Sequence, residues 1–114
     1  MEELGFLIEE FWKWTGLPRE KWGQFDIAGL PVDVTTFPRL GEVCDACIRC
    51  INKPLSGEEM ELFLMGLAMD AENEDILDAC KDRTSVTFVS DMLCAGVSYP
   101  QSEARWQLTE LLRK

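Results

Sequence analysis

Apolar residues recur every three or four positions from the start of the chain. One side of the helical wheel holds Leu4, Leu7, Ile8, Phe11, Trp12 and Thr15. This spacing predicts an amphipathic α-helix, because residues three and four apart share one side of a helix. Gly16 and Pro18 follow directly and predict its end, since glycine accepts left-handed backbone angles and proline cannot continue a helix.

The next part of the chain has a weaker pattern. Residues 18–25, PREKWGQF, predict a short helix or a turn. Residues 26–36 are interrupted by Gly29 and Pro31, and they predict a loop with a brief extended piece.

A second and sharper stripe begins after Pro38. It contains Leu40, Val43, Cys44, Cys47, Ile48 and Ile51. The stripe predicts a helix that ends at Lys53 and Pro54. Ser56 and Glu59 then have the spacing of a capping box, in which each side chain binds the free backbone amide of the other residue. The helix that follows, over 58–71, is apolar on opposite faces and is therefore expected to lie between other helices.

The rest of the chain predicts three more helices. A short acidic helix covers 73–81, and a closing helix covers about 100–113 with an apolar side formed by Ala104, Leu108, Leu111 and Leu112. Between them lies a stripe formed by Val86, Val89, Ser90, Leu93, Cys94 and Val97. Gly96 is predicted to close this helix as a left-handed C-cap. The pattern gives six or seven helices and no sheet.

Two of the stripes match at an offset of 46 residues. Val43, Cys44 and Cys47 align with Val89, Ser90 and Leu93, and Asp45 aligns with Asp91. A helix-pair period of this length is typical of HEAT and armadillo units. We therefore predict a single all-α domain over residues 1–114, with six to seven helices stacked as antiparallel hairpins in a HEAT-like manner.

Three of the five cysteines, Cys44, Cys47 and Cys50, stand at intervals of three. Such spacing occurs in iron–sulfur and zinc sites, but a ferredoxin-type run needs a fourth cysteine directly before a proline, and here Lys53 precedes Pro54. All three thiols fall on or beside the apolar stripe, and free cysteine packs as a small hydrophobe. We expect buried, reduced thiols, no metal and no cofactor.

Charge narrows the range of functions. The chain has 21 acidic and 11 basic residues, a net charge of −10 and no histidine. This balance disfavours nucleic acid and anionic membranes as partners and suits a basic protein. The lack of histidine removes the usual general base, and the chain has no glycine-rich phosphate loop or nucleophile motif. We therefore expect no enzyme activity and no catalytic residues.

The expected compartment follows from two further features. No run of 18 apolar residues is present, so no membrane span is expected. The first ten residues carry acids where a signal peptide needs bases. These features and the odd number of cysteines indicate a cytoplasmic protein.

Acidic residues are concentrated between 54 and 82. This segment contains nine acidic residues and a single basic residue, Lys81. The candidate contact residues for a basic partner are Asp70, Glu72, Glu74, Asp75, Asp78 and Asp82. A calcium loop is disfavoured because the turn glycine is missing, and a solvated helix face is the simpler alternative. Trp106 is either a second contact or a residue packed against a neighbouring helix.

The closing segment, YPQSEARWQLTELL from Tyr99 to Leu112, starts with a proline and continues as Ala-Arg-Trp-Gln and then Leu-Leu. It resembles the last helix of small helical immunity proteins, which protect bacteria from toxins delivered by neighbours, including contact-dependent growth inhibition toxins. The match covers about 15 of 114 residues. It implies a protein that binds a cognate toxin domain tightly and occludes it. It fixes no contact residues, because these vary between members.

Two classes of function remain open. The first is an immunity protein that neutralises a cognate basic toxin, for which a nuclease is the expected type. The second is a HEAT-like adaptor or scaffold for another basic protein, and an enzyme or metal sensor comes third. A toxin gene immediately upstream would separate the first two, and a bound metal would favour the third.

Overall fold

Five α-helices and one short 3-10 helix make up the part of the chain that the computed structural model describes, namely residues 2–18, 30, 32–70, 73–83, 85–96 and 109. The elements are α1 (Glu2–Thr15), the 3-10 helix (Val34–Thr36), α2 (Leu40–Cys50), α3 (Gly57–Met69), α4 (Asp75–Arg83) and α5 (Val86–Gly96). No strand occurs within these ranges. The all-α prediction is confirmed. The predicted helices at 18–25 and 100–113 lie outside the described residues, apart from Pro18 and the helical residue Thr109.

The first helix follows its predicted stripe closely. Leu4, Leu7, Ile8, Phe11 and Trp12 are all buried. Gly16 ends the helix with a φ of +78°, in the left-handed region that glycine accepts without strain, and its amide donates to the carbonyl of Lys13. Acidic residues in the first turn and Lys13 in the last turn complement the helix dipole.

The third helix lies at the centre of the fold, as its two apolar faces predict. Its capping box is present: the Glu59 amide donates to the Ser56 hydroxyl at 3.2 Å, and the Ser56 amide donates to the Glu59 carboxylate at 2.8 Å. Phe63, Leu64 and Leu67 are fully buried. Helix α3 contacts α1, α2 and α5, so three helices share its surface.

Helices α2 and α3 cross with Gly66 at their contact. A Cβ atom added to Gly66 would overlap the sulfur of Cys47 and would be in van der Waals contact with Val43. The Cys47 thiol also lies 4.0 Å from the carbonyl of Phe63, which it faces across the crossing. Only a glycine in α3 leaves room for this thiol, so the small residue sets the distance between the two helices.

Helices α1 and α2 run antiparallel. Near the start of α1, Glu3 forms an ion pair with Arg49 at 2.8 Å, in the last turn of α2. Near the end of α1, the Trp14 ring lies 5.4 Å from the ring of Phe37, which precedes α2. Helix α4 contacts α2 as well, so α2 has partners on more than one side.

The predicted stripe of α5 is wrong in its register. Phe88 and Met92 are the buried side chains, whereas Ser90 and Cys94 are exposed. The reason is size, because the Phe88 ring packs edge-on against Phe63 with centroids 5.5 Å apart and buries more apolar surface than a smaller residue would. Val89 and Leu93 lie at the margin of the core.

The 46-residue correspondence therefore does not carry over to the packing. Cys44 is buried in α2, but its counterpart Ser90 is exposed in α5. The described helices do not support a count of six to seven or a HEAT-like arrangement. Gly96 is the last described residue of α5, and the residues that follow it lie outside the described residues.

The region predicted as a loop contains the 3-10 helix. Asp33 caps this helix, since its Oδ1 accepts from the amide of Thr35 at 3.0 Å and from the Thr35 hydroxyl at 2.6 Å. These bonds lower the pKa of Asp33. A short side chain that competes for local amides thus caps a turn of helix at the end of the predicted loop. Residues 26–29 and 31 of that loop lie outside the described residues.

We predict that Gly66→Ala destabilises the protein by about 1–3 kcal/mol, because the new methyl group overpacks the crossing of α2 and α3. Adding Cys47→Ala should recover part of this loss, since it removes the sulfur that the methyl group meets. Urea unfolding of the two single variants and the double variant measures the coupling. Strictly additive losses would contradict the proposed contact.

Candidate partner-binding surface

Helix α4 presents three aspartates to solvent. Its inner side consists of Ile76, Leu77 and Cys80, all of which are buried in the core. Asp75, Asp78 and Asp82 are exposed, and their spacing places them within an arc of roughly 60° at 100° per residue. We call these three residues the α4 acidic stripe. The described part of the chain shows no ion pair to any of them.

The position of these charges has an energetic consequence. Asp75 and Asp78 stand in the first turn of α4, where the helix dipole favours negative charge. Asp82 stands near the carboxyl end, where the dipole disfavours it, and it is also four residues from Asp78. Like charges at this spacing destabilise a helix by about 0.2–0.5 kcal/mol. Helix stability therefore accounts for the first two aspartates and not for Asp82.

Asp70 does not belong to this surface, and here the prediction is corrected. The residue is only 1% exposed. Its Oδ2 accepts from the amide of Ile76 at 2.7 Å, so it satisfies one of the free amides at the start of α4. A carboxylate committed to this bond in the core cannot contact a partner directly. Its role is to connect the end of α3 to the start of α4.

The other two predicted residues have different positions. Glu74 is half-buried and has a φ of +58°, in the left-handed region that few residues other than glycine adopt. Its amide donates to the backbone carbonyl of Asp70 at 2.8 Å, which holds this turn in place. Glu72 lies outside the described residues. Of the six predicted contact residues, the structure thus brings Asp75, Asp78 and Asp82 together on one exposed face.

The environment of Asp70 raises its pKa. Burial is the largest cause, and the nearby charge of Asp75 acts in the same direction. The Ile76 amide and the neighbouring Cys44 thiol act in the opposite direction, because they favour the charged form. The net result is a carboxylate that is costly to ionise at the junction of two helices.

Asp45 is a member of the acidic surface that the sequence pattern did not identify. Burial raises the pKa of the Cys44 thiol strongly, and the charges of Asp70, Asp75 and Asp45 raise it further. These charges therefore lie around one thiol at the contact between α2 and α4. Asp45 is exposed and follows Cys44 directly in the chain, so it adds a negative charge to the outer side of α2. Its place opposite the apolar stripe of α2 was visible in the sequence, but the contact between α2 and α4 was not.

The cysteines behave as core residues at four of five positions. Cys44, Cys47, Cys50 and Cys80 are buried, and Cys94 is exposed. Burial raises the pKa of Cys80 to about 12 and that of Cys47 well above its ordinary value. The prediction that the three α2 thiols are buried is confirmed. Within the described ranges, no group of three or more cysteines or carboxylates is arranged to hold a metal ion.

The comparisons with known proteins add no relative. Comparison with protein-family models, with curated proteins and with solved structures gives no match. Within the described part of the chain, none of the helices has the length and apolar character needed to cross a membrane. Trp106, for which a partner contact and packing against a neighbouring helix both stayed open, lies outside the described residues.

We predict that Asp70→Asn changes how stability depends on pH. A raised folded-state pKa means that the folded protein binds a proton more tightly than the unfolded chain, so the wild type loses stability as the pH rises through that pKa. The variant lacks this loss, and its stability relative to the wild type should increase from about pH 3 upwards. Urea unfolding across this range measures the difference. A difference that is constant with pH would contradict the assignment.

We also predict that a thiol reagent labels Cys94 first in the folded protein. Only the thiolate reacts, and burial suppresses thiolate formation at Cys44, Cys47 and Cys80. Mass spectrometry after a short reaction should find one modified cysteine, and urea should expose the others. Elemental analysis of the same sample should find no stoichiometric zinc or iron. Rapid labelling of the α2 thiols, or a bound metal, would overturn this account.

Proposed function

We propose that this protein is an immunity protein that binds a cognate basic toxin domain and neutralises it by occlusion. The single observation that carries the proposal is the α4 acidic stripe, in which three aspartates face solvent side by side without a cation from the described part of the chain. Helix stability does not explain Asp82, so a role outside the fold is the better account.

The physical basis is electrostatic attraction. A concentrated negative surface draws a cationic partner at long range and raises the association rate by about 10- to 10³-fold. The effect decreases with salt, because ions screen exposed charges. A nuclease domain, whose own substrate is polyanionic, presents the basic surface that such a stripe would meet. Covering that surface blocks access of the nucleic acid.

The resemblance of the closing segment supports the same proposal. Residues 99–112 resemble the closing helix of small helical immunity proteins, and Trp106 lies within this segment. The proposal includes a closing helix that completes a six- to seven-helix, HEAT-like stack, and action in the cytoplasm of the protected cell. No catalytic residue, cofactor or metal enters the proposed mechanism.

We predict that reversing Asp75, Asp78 and Asp82 to lysine slows association with the toxin by about tenfold or more at low salt and flattens its salt dependence. The matched control reverses Glu58, Glu61 and Asp91, which are also exposed. Both triple variants change the net charge by the same amount, so a difference between them reports the position of the charges. Equal slowing of association in both variants would show that the net charge of the protein, and not the position of the α4 acidic stripe, causes the effect.

Function is tested directly by growth rescue. The product of the gene adjacent upstream is expressed in a bacterial host with the wild-type protein or with each triple variant. The wild type should protect, the control triple should protect as well, and the α4 triple should protect less. Absence of a toxin gene, or full protection by the α4 triple, would contradict the proposal. Binding to a different basic protein in place of the toxin would favour the adaptor alternative.

A further inference from the structure

Helices α1, α2 and α4 share one solvent face. On the α2 wheel, Arg49 points to α1, where it pairs with Glu3. Cys44 lies beside Asp70, the carboxylate that accepts from the amide of Ile76 in α4. Asp45 is exposed and lies on the arc between these two directions, and the exposed Glu42 lies about 20° beyond Arg49, on the side of α1, at 100° per residue. The outer side of α2 is therefore flanked by α1 on one side and by α4 on the other.

This face contains an exposed aromatic ring. Phe6 is 51% exposed, and it lies roughly opposite the centre of the buried stripe of α1 at 100° per residue. The guanidinium of Arg39 lies over its ring, 5.3 Å from the centroid. Two bonds to Glu42, at 2.8 and 3.0 Å, hold that guanidinium in place. The contact with Arg39, the residue before α2, thus holds the Phe6 ring in position on the surface. The ring does not pack in the core.

Negative charge surrounds the ring. Glu42, Glu10 and Glu3 all raise the pKa of Arg39, so these carboxylates lie near the guanidinium that covers Phe6. Across α2 the negative charge continues with Asp45 and the α4 acidic stripe. We call Phe6, Glu10, Glu42, Asp45, Asp75 and Asp78 the three-helix face. An exposed aromatic ring with charged surroundings has the composition of a binding hot spot.

We propose that the basic toxin domain docks on the three-helix face and that Phe6 is its aromatic anchor, which enters an apolar pocket with a cationic rim. This inference rests on the proposed function and names where the partner binds. Charge complementarity selects the occupant, because a second copy of this chain would bring carboxylates against carboxylates. An anionic membrane would be repelled for the same reason.

The test uses Phe6→Ala and Phe6→Tyr, with Leu93→Ala as the control because Leu93 is a partly buried apolar residue of α5, away from this face. The probe is the purified toxin domain of the adjacent gene, with its active site inactivated. Phe6→Ala should raise Kd by about tenfold or more, mainly through faster dissociation. Phe6→Tyr keeps the ring and should bind like the wild type, as should Leu93→Ala. Thermal unfolding checks that each variant folds.

The extension of the face onto α2 is tested with one more pair. Asp45→Lys should slow association, whereas Asp91→Lys, the same change at an exposed position of α5, should not. Wild-type affinity in Phe6→Ala, or equal slowing by both lysines, overturns this inference and leaves the proposed function standing. Failure of the wild-type protein to bind the toxin domain overturns both.

Discussion

The close crossing of α2 and α3 is the contact on which the rest of the fold depends. Gly66 leaves the space that the sulfur of Cys47 fills, so α2 packs directly on the backbone of α3 at this residue. Interiors pack at nearly crystalline density, and a single methyl group in such a contact cannot be absorbed without a shift. Because α2 is held against the central helix in this way, its two sides are left for α1 and α4, and its outer side faces solvent. The position of the acidic surface is therefore a consequence of a buried glycine and a buried thiol.

Asp70 makes a second connection of this kind. A carboxylate in the core is costly to ionise, and its raised pKa records that cost. The Asp70 carboxylate accepts a hydrogen bond from the amide of Ile76. This amide is one of those at the start of α4 that have no partner within the helix. Glu74, with its left-handed backbone, completes the turn between α3 and α4. One buried acid thus sets the direction of the helix that carries three exposed ones, although all of them belong to the same acidic run of sequence.

The sequence predicted most of the helices, because their periodicity and caps are local signals. The stripe of α1 and the capping box at Ser56 are of this type, and both are present. Two errors have a common physical cause. Periodicity places residues on a face of a helix but does not say which face becomes buried. In α5 the face with Phe88 is buried in the core, and the predicted face with Ser90 is not. Charge runs likewise do not reveal which acid caps a helix, and so Asp70 was placed on the surface. The contact between α2 and α4 depends on tertiary packing alone.

In the three-helix face, the α4 aspartates and the Phe6 ring stand on different helices. Substitutions can therefore change the charge and the ring separately. Exposed charges act mainly on the association rate, whereas a desolvated anchor acts mainly on dissociation. In the three-helix face, two aspartates stand on α4, a third stands on α2 and the ring stands on α1, while α1 and α4 each pack on α2. The inner residues of α4 are buried whichever charges its outer side carries. Substitutions on the outer side of either helix can therefore alter the rate or the lifetime of a complex independently, and the buried contacts of α2 with α3 keep the two parts in register.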